Sequence, residues 1–318
     1  MNMYYVGVDV GGTNLVAGLM NENCEILDKA SHPVDHSQTP EQLCGEIVRL
    51  AKQVCQSGGV TEKEVRAVGI GLPGQVNNKT GIVVRTPNMP FQNTPVRQLF
   101  QRQWDMPVFL GNDADCAAIG EYRSGSAKGC SPAVTVTLGT GIGAGMVVDG
   151  KLFTGFAGSG MEVGHMIIHP NGHLCGCGNR GCWEQYGSAS ALIQMTLREM
   201  ECSRDSLLWQ LCGGDRSKVQ GRTVFQAARQ GDEAAHRVLY SYRSGVAIGL
   251  INLVNILQPE VICMGGGVSN ADDDLLLDPV RELVRQGSFD KTMPTRLVRA
   301  SLGNDAGVVG AAMLCDSI

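Results

Sequence analysis

One short stretch of the chain holds His165, Cys175, Cys177 and Cys182, with Gly172, Gly176, Gly178 and Gly181 allowing sharp turns between them. One imidazole and three thiolates make a complete tetrahedral set for a structural Zn2+. Free thiols without a metal are the alternative, and His169 and His173 rival His165 as the nitrogen ligand. Glycine carries a second kind of chemistry. Asp9-Val10-Gly11-Gly12-Thr13-Asn14 puts an acid, two glycines and a hydroxyl into one turn, and Thr140-Gly141 lies in another, Leu138–Gly145. Glycines let backbone N–H groups converge on an anion, and the hydroxyl adds a donor, so both turns suit a phosphate. Gly265-Gly266-Gly267 follows a strand and would let a ring or a ribose lie against bare backbone. An ordinary hairpin accounts for any one such turn, but two matched turns and a third after a strand point to a nucleotide. Asn112-Asp113 closes a strand and opens a helix, a place where a carboxylate caps the helix.

Other nucleotide folds fit less well. No G-x-x-x-x-G-K-[ST] is present, which excludes a P-loop, and no G-x-G-x-x-G opens a helix after a strand.

The elements that must position these residues follow from periodicity. Met3–Val10, Leu15–Met20 and Ile26–Val34 read as an antiparallel meander with a glycine turn. Thr39–Gln56 has helical spacing, with Leu43, Ile47, Leu50 and Val54 on one face. Val65–Leu72 is an apolar strand, Thr94–Gln103 a helix, Pro107–Leu110 a strand and Asn112–Tyr122 a helix. The pattern then restarts: strand Ala133–Leu138, a glycine turn and a second strand, Met146–Leu152. Helices Ser188–Glu201, Thr223–Gln230 and Asp232–Leu257 follow, then strand Val261–Met264, helix Leu275–Gln286, strand Thr295–Arg299 and a closing helix, Asp305–Cys315. Strand–glycine turn–strand followed by helices and strands in both halves predicts a duplicated α/β architecture with a central cleft.

Composition bounds the class. The chain has 318 residues with 43% hydrophobic content, enough for a large core. Its 26 basic and 31 acidic residues leave a formal charge of −5, which argues against a nucleic-acid surface. No secretory signal or membrane span is expected, and the 12 cysteines read as reduced thiols in a cytoplasmic protein. The 42 glycines are an excess, and their concentration at the turns above reads as a map of where the backbone meets a ligand.

Taken together, Asp9–Asn14, Gly71–Gly74, Thr86-Pro87-Asn88, Asn112–Glu121, Leu138–Gly145, Glu162–His165, Cys175–Glu184 and Gly265–Gly267 resemble the ROK family (repressors, open reading frames and sugar kinases) over essentially the whole chain. The likeness is greatest to the family's bacterial glucokinases. It implies the actin-like/hexokinase-type (ribonuclease H-like) duplicated fold. A small lobe, 1–112, with helix 303–318 packing back on it, would pair with a larger lobe, 113–302.

The implied reaction is ATP-dependent phosphorylation of a hexose at its 6-hydroxyl, with glucose as the acceptor. Asp113 would be the general base and Asn112 would bond the sugar, joined by Gly74, Glu162, His165 and Glu184. Asp9, Gly11, Gly12, Thr13, Asn14, Thr140 and Gly141 would hold phosphates, with Mg2+ reached from Asp9 through water. Gly265, Gly266 and Gly267 would take the adenosine, while His165, Cys175, Cys177 and Cys182 would bind structural zinc.

A homodimer with no nucleic-acid or membrane partner is implied as well. Kinases for N-acetylmannosamine, N-acetylglucosamine, fructose or mannose are alternatives. A sugar-responsive regulator is another, but the first strand begins near Met3 and leaves no room for a DNA-binding module ahead of it. Three departures from the family stand out: Asp115-Cys116 for the usual asparagine and alanine, Gly160-Met161 for Ala-Gly, and Trp183 for leucine.

Overall fold

The structure, a computed structural model, describes residues 3–87 and 89–318. Asn88, part of the Thr86-Pro87-Asn88 match, lies outside the described residues. By internal contacts the chain divides into two compact units. Unit 1 comprises Met1–Thr135, Gly145–Met161 and Ala300–Ile318, and unit 2 comprises Val136–Ala144 and Glu162–Arg299.

Unit 1 opens with strands β1 (Tyr4–Val10), β2 (Asn14–Met20) and β3 (Ile26–Pro33), an antiparallel meander as predicted. Helix α1 (Pro40–Ser57) starts at a capping box, where Thr39 and Gln42 bond each other's backbone N–H. Its Leu43, Ile47, Leu50 and Val54 are fully buried on the side that packs against β1 and β2, and strand β4 (Val65–Leu72) adds to the same core. Three short strands follow, β5 (Gln75–Asn77), β6 (Ile82–Arg85) and β7 (Gln92–Thr94), then helix α2 (Val96–Gln101), strand β8 (Val108–Asn112) and helix α3 (Asp113–Ser124). The main sheet runs β3-β2-β1-β4-β8, with β4 parallel to both β1 and β8.

The pattern restarts with β9 (Ala133–Leu138), β10 (Ile142–Val148) and β11 (Lys151–Leu152). The expected single strand Met146–Leu152 is corrected to the end of β10, a turn and β11. Asp149 and Gly150 both have positive φ, 48° and 79°, which turns the chain back at a two-residue hairpin. Helices α4 (Glu184–Gly187), α5 (Ala189–Cys202), α6 (Leu207–Leu211), α7 (Gly221–Arg229) and α8 (Glu233–Leu257) precede β12 (Val261–Gly265), α9 (Leu277–Gly287) and β13 (Arg296–Arg299). This second sheet runs β11-β10-β9-β12-β13. Each five-stranded sheet thus has the order third-second-first-fourth-fifth, and that repeat is the duplicated architecture read from the sequence. Among the described residues no helix is long and apolar enough to cross a membrane.

The chain ends in α10 (Ala306–Ala312) and α11 (Leu314–Ser317), both in unit 1. Helix α10 lies against β1, β4 and α3 through glycines on both sides. A Cβ at Gly7 would run into Val308 O, one at Gly69 into Ala311 O and one at Gly120 into Ala306 O. Gly310 of α10 meets Cys116 O of α3 in the same way. These glycines serve close backbone packing, so the glycine excess is only partly a map of ligand contacts.

Candidate functional site

In unit 1, Asp9 stands near the end of β1, before the turn Gly11–Thr13. Gly11 N donates to Asn14 O at 2.9 Å, closing the turn, while Gly12 has open space around it and Thr13 is exposed. No internal crowding calls for a glycine at position 12, and its backbone is open on that side. The partly buried Asp9 carboxylate faces Gly307 of α10: a Cβ there would lie 2.5 Å from Asp9 Oδ2. Burial and the negative charge of Asp113 raise the Asp9 carboxyl from 3.8 to about 6.

Asp113 is the first residue of α3 and is exposed. Asn112 caps this helix: its Oδ1 accepts from Ala114 N at 2.8 Å, and Asp113 Oδ1 accepts from the same N–H at 2.9 Å. The amide of Asn112 also donates to Gly74 O at 2.8 Å. Gly74 has φ 91°, and a Cβ there would meet Arg85 O, so the position needs glycine. The cap is thus the Asn112 amide, where the sequence reading had a carboxylate, with Asp113 sharing its N–H, and Asn112 also ties Gly74 to the start of α3. Asp115 is partly exposed on the same first turn, and Cys116 is wholly buried beneath the acids, its thiol driven up by burial.

In unit 2 the four metal-type ligands converge. One ligand atom from each of His165, Cys175, Cys177 and Cys182 lies within 4.8 Å of the others. Cys175 Sγ is 3.6 Å from His165 Nδ1, and Cys177 Sγ is 3.6 Å from Cys182 Sγ. A tetrahedral ion with bonds of about 2.3 Å holds its sulfurs roughly 3.8 Å apart, so the donor set and its size both suit Zn2+. His169 and His173 instead stack on Tyr186, at ring distances of 5.7 Å and 5.2 Å. His165 uses Nδ1 toward the cluster, which leaves Nε2 on the other edge of the ring.

The loop after the cysteines is anchored by Trp183, fully buried, whose indole N–H donates to Gly245 O at 2.9 Å. Its ring fills the groove left by Gly249, where any Cβ would collide with it. This anchor sets Glu184, the first residue of α4. Glu184 Oε1 accepts from the Cys175 thiol at 2.9 Å and lies 3.8 Å from His165 Nδ1. Glu184 also borders the second glycine turn, since a Cβ on Gly141 would be 2.7 Å from Glu184 Oε2. That turn is closed by Gly139 N donating to Gly141 O and tied to α5 by Ala189 N donating to Gly139 O. Glu162 is exposed one helical turn from His165, whose N–H donates to Glu162 O at 3.0 Å.

A cavity of about 900 Å3 in unit 2 runs from Leu138, Gly139 and Thr140 to Gly267 and Val268. Gly266 (φ 85°) crosses the end of β9 so closely that a Cβ would strike the Leu138 backbone, while Gly267 opens onto the cavity. The far wall is Gln220, then Gly221, Arg222, Phe225 and Gln226 of α7, with Asn270–Asp272. Sequence reading missed this wall. Its residues carry no motif, and α7 reads as an ordinary amphipathic helix.

The structure thus gathers Asp9, the Gly11–Asn14 turn, Gly74, Asn112 and Asp113 in unit 1. Thr140, Gly141, Glu162, His165, Glu184, the three cysteines and Gly265–Gly267 fall in unit 2.

Comparison with known proteins adds the following. The sequence profile of the ROK family matches residues 5–318. The glucokinase of Streptomyces coelicolor is 35% identical over 315 residues, covering 97% of this chain and 96% of that protein. A ROK family glucokinase from Streptomyces griseus, solved in complex with glucose and AMPPNP, superposes with a TM-score of 0.83 at 35% identity over 98% of each chain. The xylose repressor of Caldicellulosiruptor bescii is 29% identical over 96% of this chain and 75% of its own length.

Proposed function

We propose, starting from the fact that this chain belongs to the ROK family, that it transfers the γ-phosphoryl group of ATP to the 6-hydroxyl of glucose. The observation that carries the reading is the meeting of two chemistries in unit 2: Gly141 of a phosphate-type turn borders Glu184, itself beside the Cys3His cluster. A donor phosphate on Thr140-Gly141 would lie next to a carboxylate suited to bonding a sugar hydroxyl. The cavity beyond Thr140 would take the ribose and adenine, with Gly267 giving close backbone approach.

An alcohol is a poor nucleophile at neutral pH, so phosphoryl transfer needs a positioned proton acceptor more than it needs covalent chemistry. Asp113 fills that role: it is exposed at the first turn of α3, and its backbone is fixed by the Asn112 cap. Glu162, Glu184 and His165 Nε2 would bond vicinal hydroxyls and exclude acceptors that lack them. Asn112 would hold the Gly74 loop beside the acceptor. Mg2+, which favours few carboxylates and keeps waters, would be reached from Asp9 and would neutralise phosphate charge. Zn2+ in the His165, Cys175, Cys177 and Cys182 set would fix the His165 ring and the loop leading to Glu184. The homodimer implied by the family likeness belongs to the same reading, and sedimentation velocity reads it directly.

The test is ADP release with glucose, mannose, fructose, N-acetylglucosamine and N-acetylmannosamine as acceptors. Glucose should give the highest kcat/KM, and a flat response to glucose overturns the substrate. A sugar-responsive regulator is the second reading, favoured by the 29% match to a repressor. Glucose binding by calorimetry with no ADP release from any of the sugars would select it.

A further inference from the structure

Glu121 is wholly buried in the last turn of α3, and its carboxylate is used entirely within unit 1. Oε1 accepts from Leu302 N at 2.8 Å. Oε2 accepts from Ser126 N at 2.8 Å, Ser301 N at 3.1 Å and the Ser301 hydroxyl at 3.4 Å. Gly125 makes room for it, since a Cβ there would overlap Oε2. One donor thus comes from the chain just after α3 and three come from the segment that leads into α10. A carboxylate with this many backbone donors is a joint between two segments, because no neutral side chain of the same size accepts on both oxygens.

What the joint holds matters for the site. Residues 301–302 lead into α10, whose Gly307 stands against the Asp9 carboxylate and whose Gly310 meets the Cys116 carbonyl of α3. No side chain lies between α10 and β1, β4 or α3 at Gly7, Gly69, Gly120 and Gly310, so a shift of α10 is passed on directly. Asp113 opens the same helix that Glu121 closes.

We propose that Glu121 is a positioning residue for phosphoryl transfer: it clamps α10 to α3 and thereby sets where the Asp9 and Asp113 carboxylates stand relative to one another. The proposal rests on the kinase reading above. It predicts a particular kinetic split. Removing the clamp disturbs the two acids of unit 1 and leaves the adenosine cavity and the Glu162, His165 and Glu184 side chains of unit 2 in place.

The experiment measures kcat, KM for glucose and KM for ATP in wild type, Glu121→Gln and Glu121→Asp, each well below its own Tm. Val54→Ala, in the α1 core and away from the joint, serves as a stability control. Glutamine keeps the size but presents an amide to backbone donors, and aspartate keeps the charge but falls short of residues 301–302. Both should lower kcat by roughly tenfold or more, the scale of one lost positioning contact, with KM for glucose within about twofold. Val54→Ala should lower Tm and leave kcat unchanged.

A kcat within twofold of wild type for both Glu121 variants overturns the proposal. So does a loss that Val54→Ala shows equally at matched Tm. Hydrogen exchange on the wild-type chain needs no folded variant: the Ser301 and Leu302 amides should be protected as strongly as those of α10. Exchange at the rate of an exposed loop would refute the clamp. Wild-type turnover reports on the kinase reading itself, and the ratio of variant to wild type reports on Glu121, so the two can fail separately.

Discussion

Replacing Asp9 with asparagine should make this protein more stable while removing its activity. In the unliganded chain the Asp9 carboxyl titrates near 6 instead of 3.8, chiefly because it is buried and secondly because Asp113 is negative beside it. At about 1.4 kcal/mol per pH unit, holding that charge in the folded state above pH 6 costs up to roughly 3 kcal/mol. The sign follows from linkage. Between about pH 4 and 6 the folded protein holds a proton that the unfolded chain has released, so the stability of the wild type falls as pH rises through that window.

Asparagine has the same shape, fits against Gly307 and carries no charge. Chemical denaturation of wild type and Asp9→Asn at about pH 8 should therefore show the variant ahead by up to roughly 3 kcal/mol, or roughly 5–10 °C in Tm for units of this size. The gap should shrink below pH 6 and close near pH 4. A variant less stable than wild type at pH 8, or a gap that does not change with pH, would refute the reasoning. Asp9 would then be held by favourable contacts and not by an unrelieved charge.

Asp113→Asn should leave folding intact and cut kcat by roughly a hundred- to ten-thousand-fold, the usual span for a positioned proton acceptor, read by ADP release. Chelation that strips the Cys3His cluster should raise KM for glucose before KM for ATP, because Glu184 and His165 adjoin the cluster and the adenosine cavity is lined by other residues. An unchanged KM for glucose in metal-free protein, verified by elemental analysis, counts against that link. Gly249→Ala should destabilise by about 3 kcal/mol or more in a denaturant titration, since the added methyl meets the buried Trp183 ring.

The strands that sequence reading placed well are those with a simple burial pattern. Val65–Leu72 is apolar but for the exposed Arg66, Ala133–Leu138 alternates valine with threonine, and both match the observed bounds. The small sheet of β5, β6 and β7 went unread because Gln75–Asn77 and Gln92–Thr94 are short and polar, and only pairing makes them strands. At the site, residue types legible in one dimension were those whose chemistry is rare: thiols at metal spacing and acids beside paired glycines. His169 and His173 rivalled His165 as ligands, the family likeness favoured His165, and the structure puts His165 with the cysteines while the other two stack on Tyr186. Gln220, Arg222 and Phe225 carry no such mark, because a cavity wall is made by the path of the chain. Glycine itself proved ambiguous. Gly12 and Gly267 face open space, whereas Gly7, Gly69 and Gly310 exist so that one backbone can touch another.

That last contact bears on the order in which the protein is made. Both acids, both phosphate turns and all four zinc-type ligands lie before Val268, so a chain halted there would already carry them. It would lack α10, so β1 and β4 would present bare glycines to water and Asp9 would have no Gly307 against it. Strand β1 is thus completed only by α10, from far along the chain, so unit 1 stays open until both have been made.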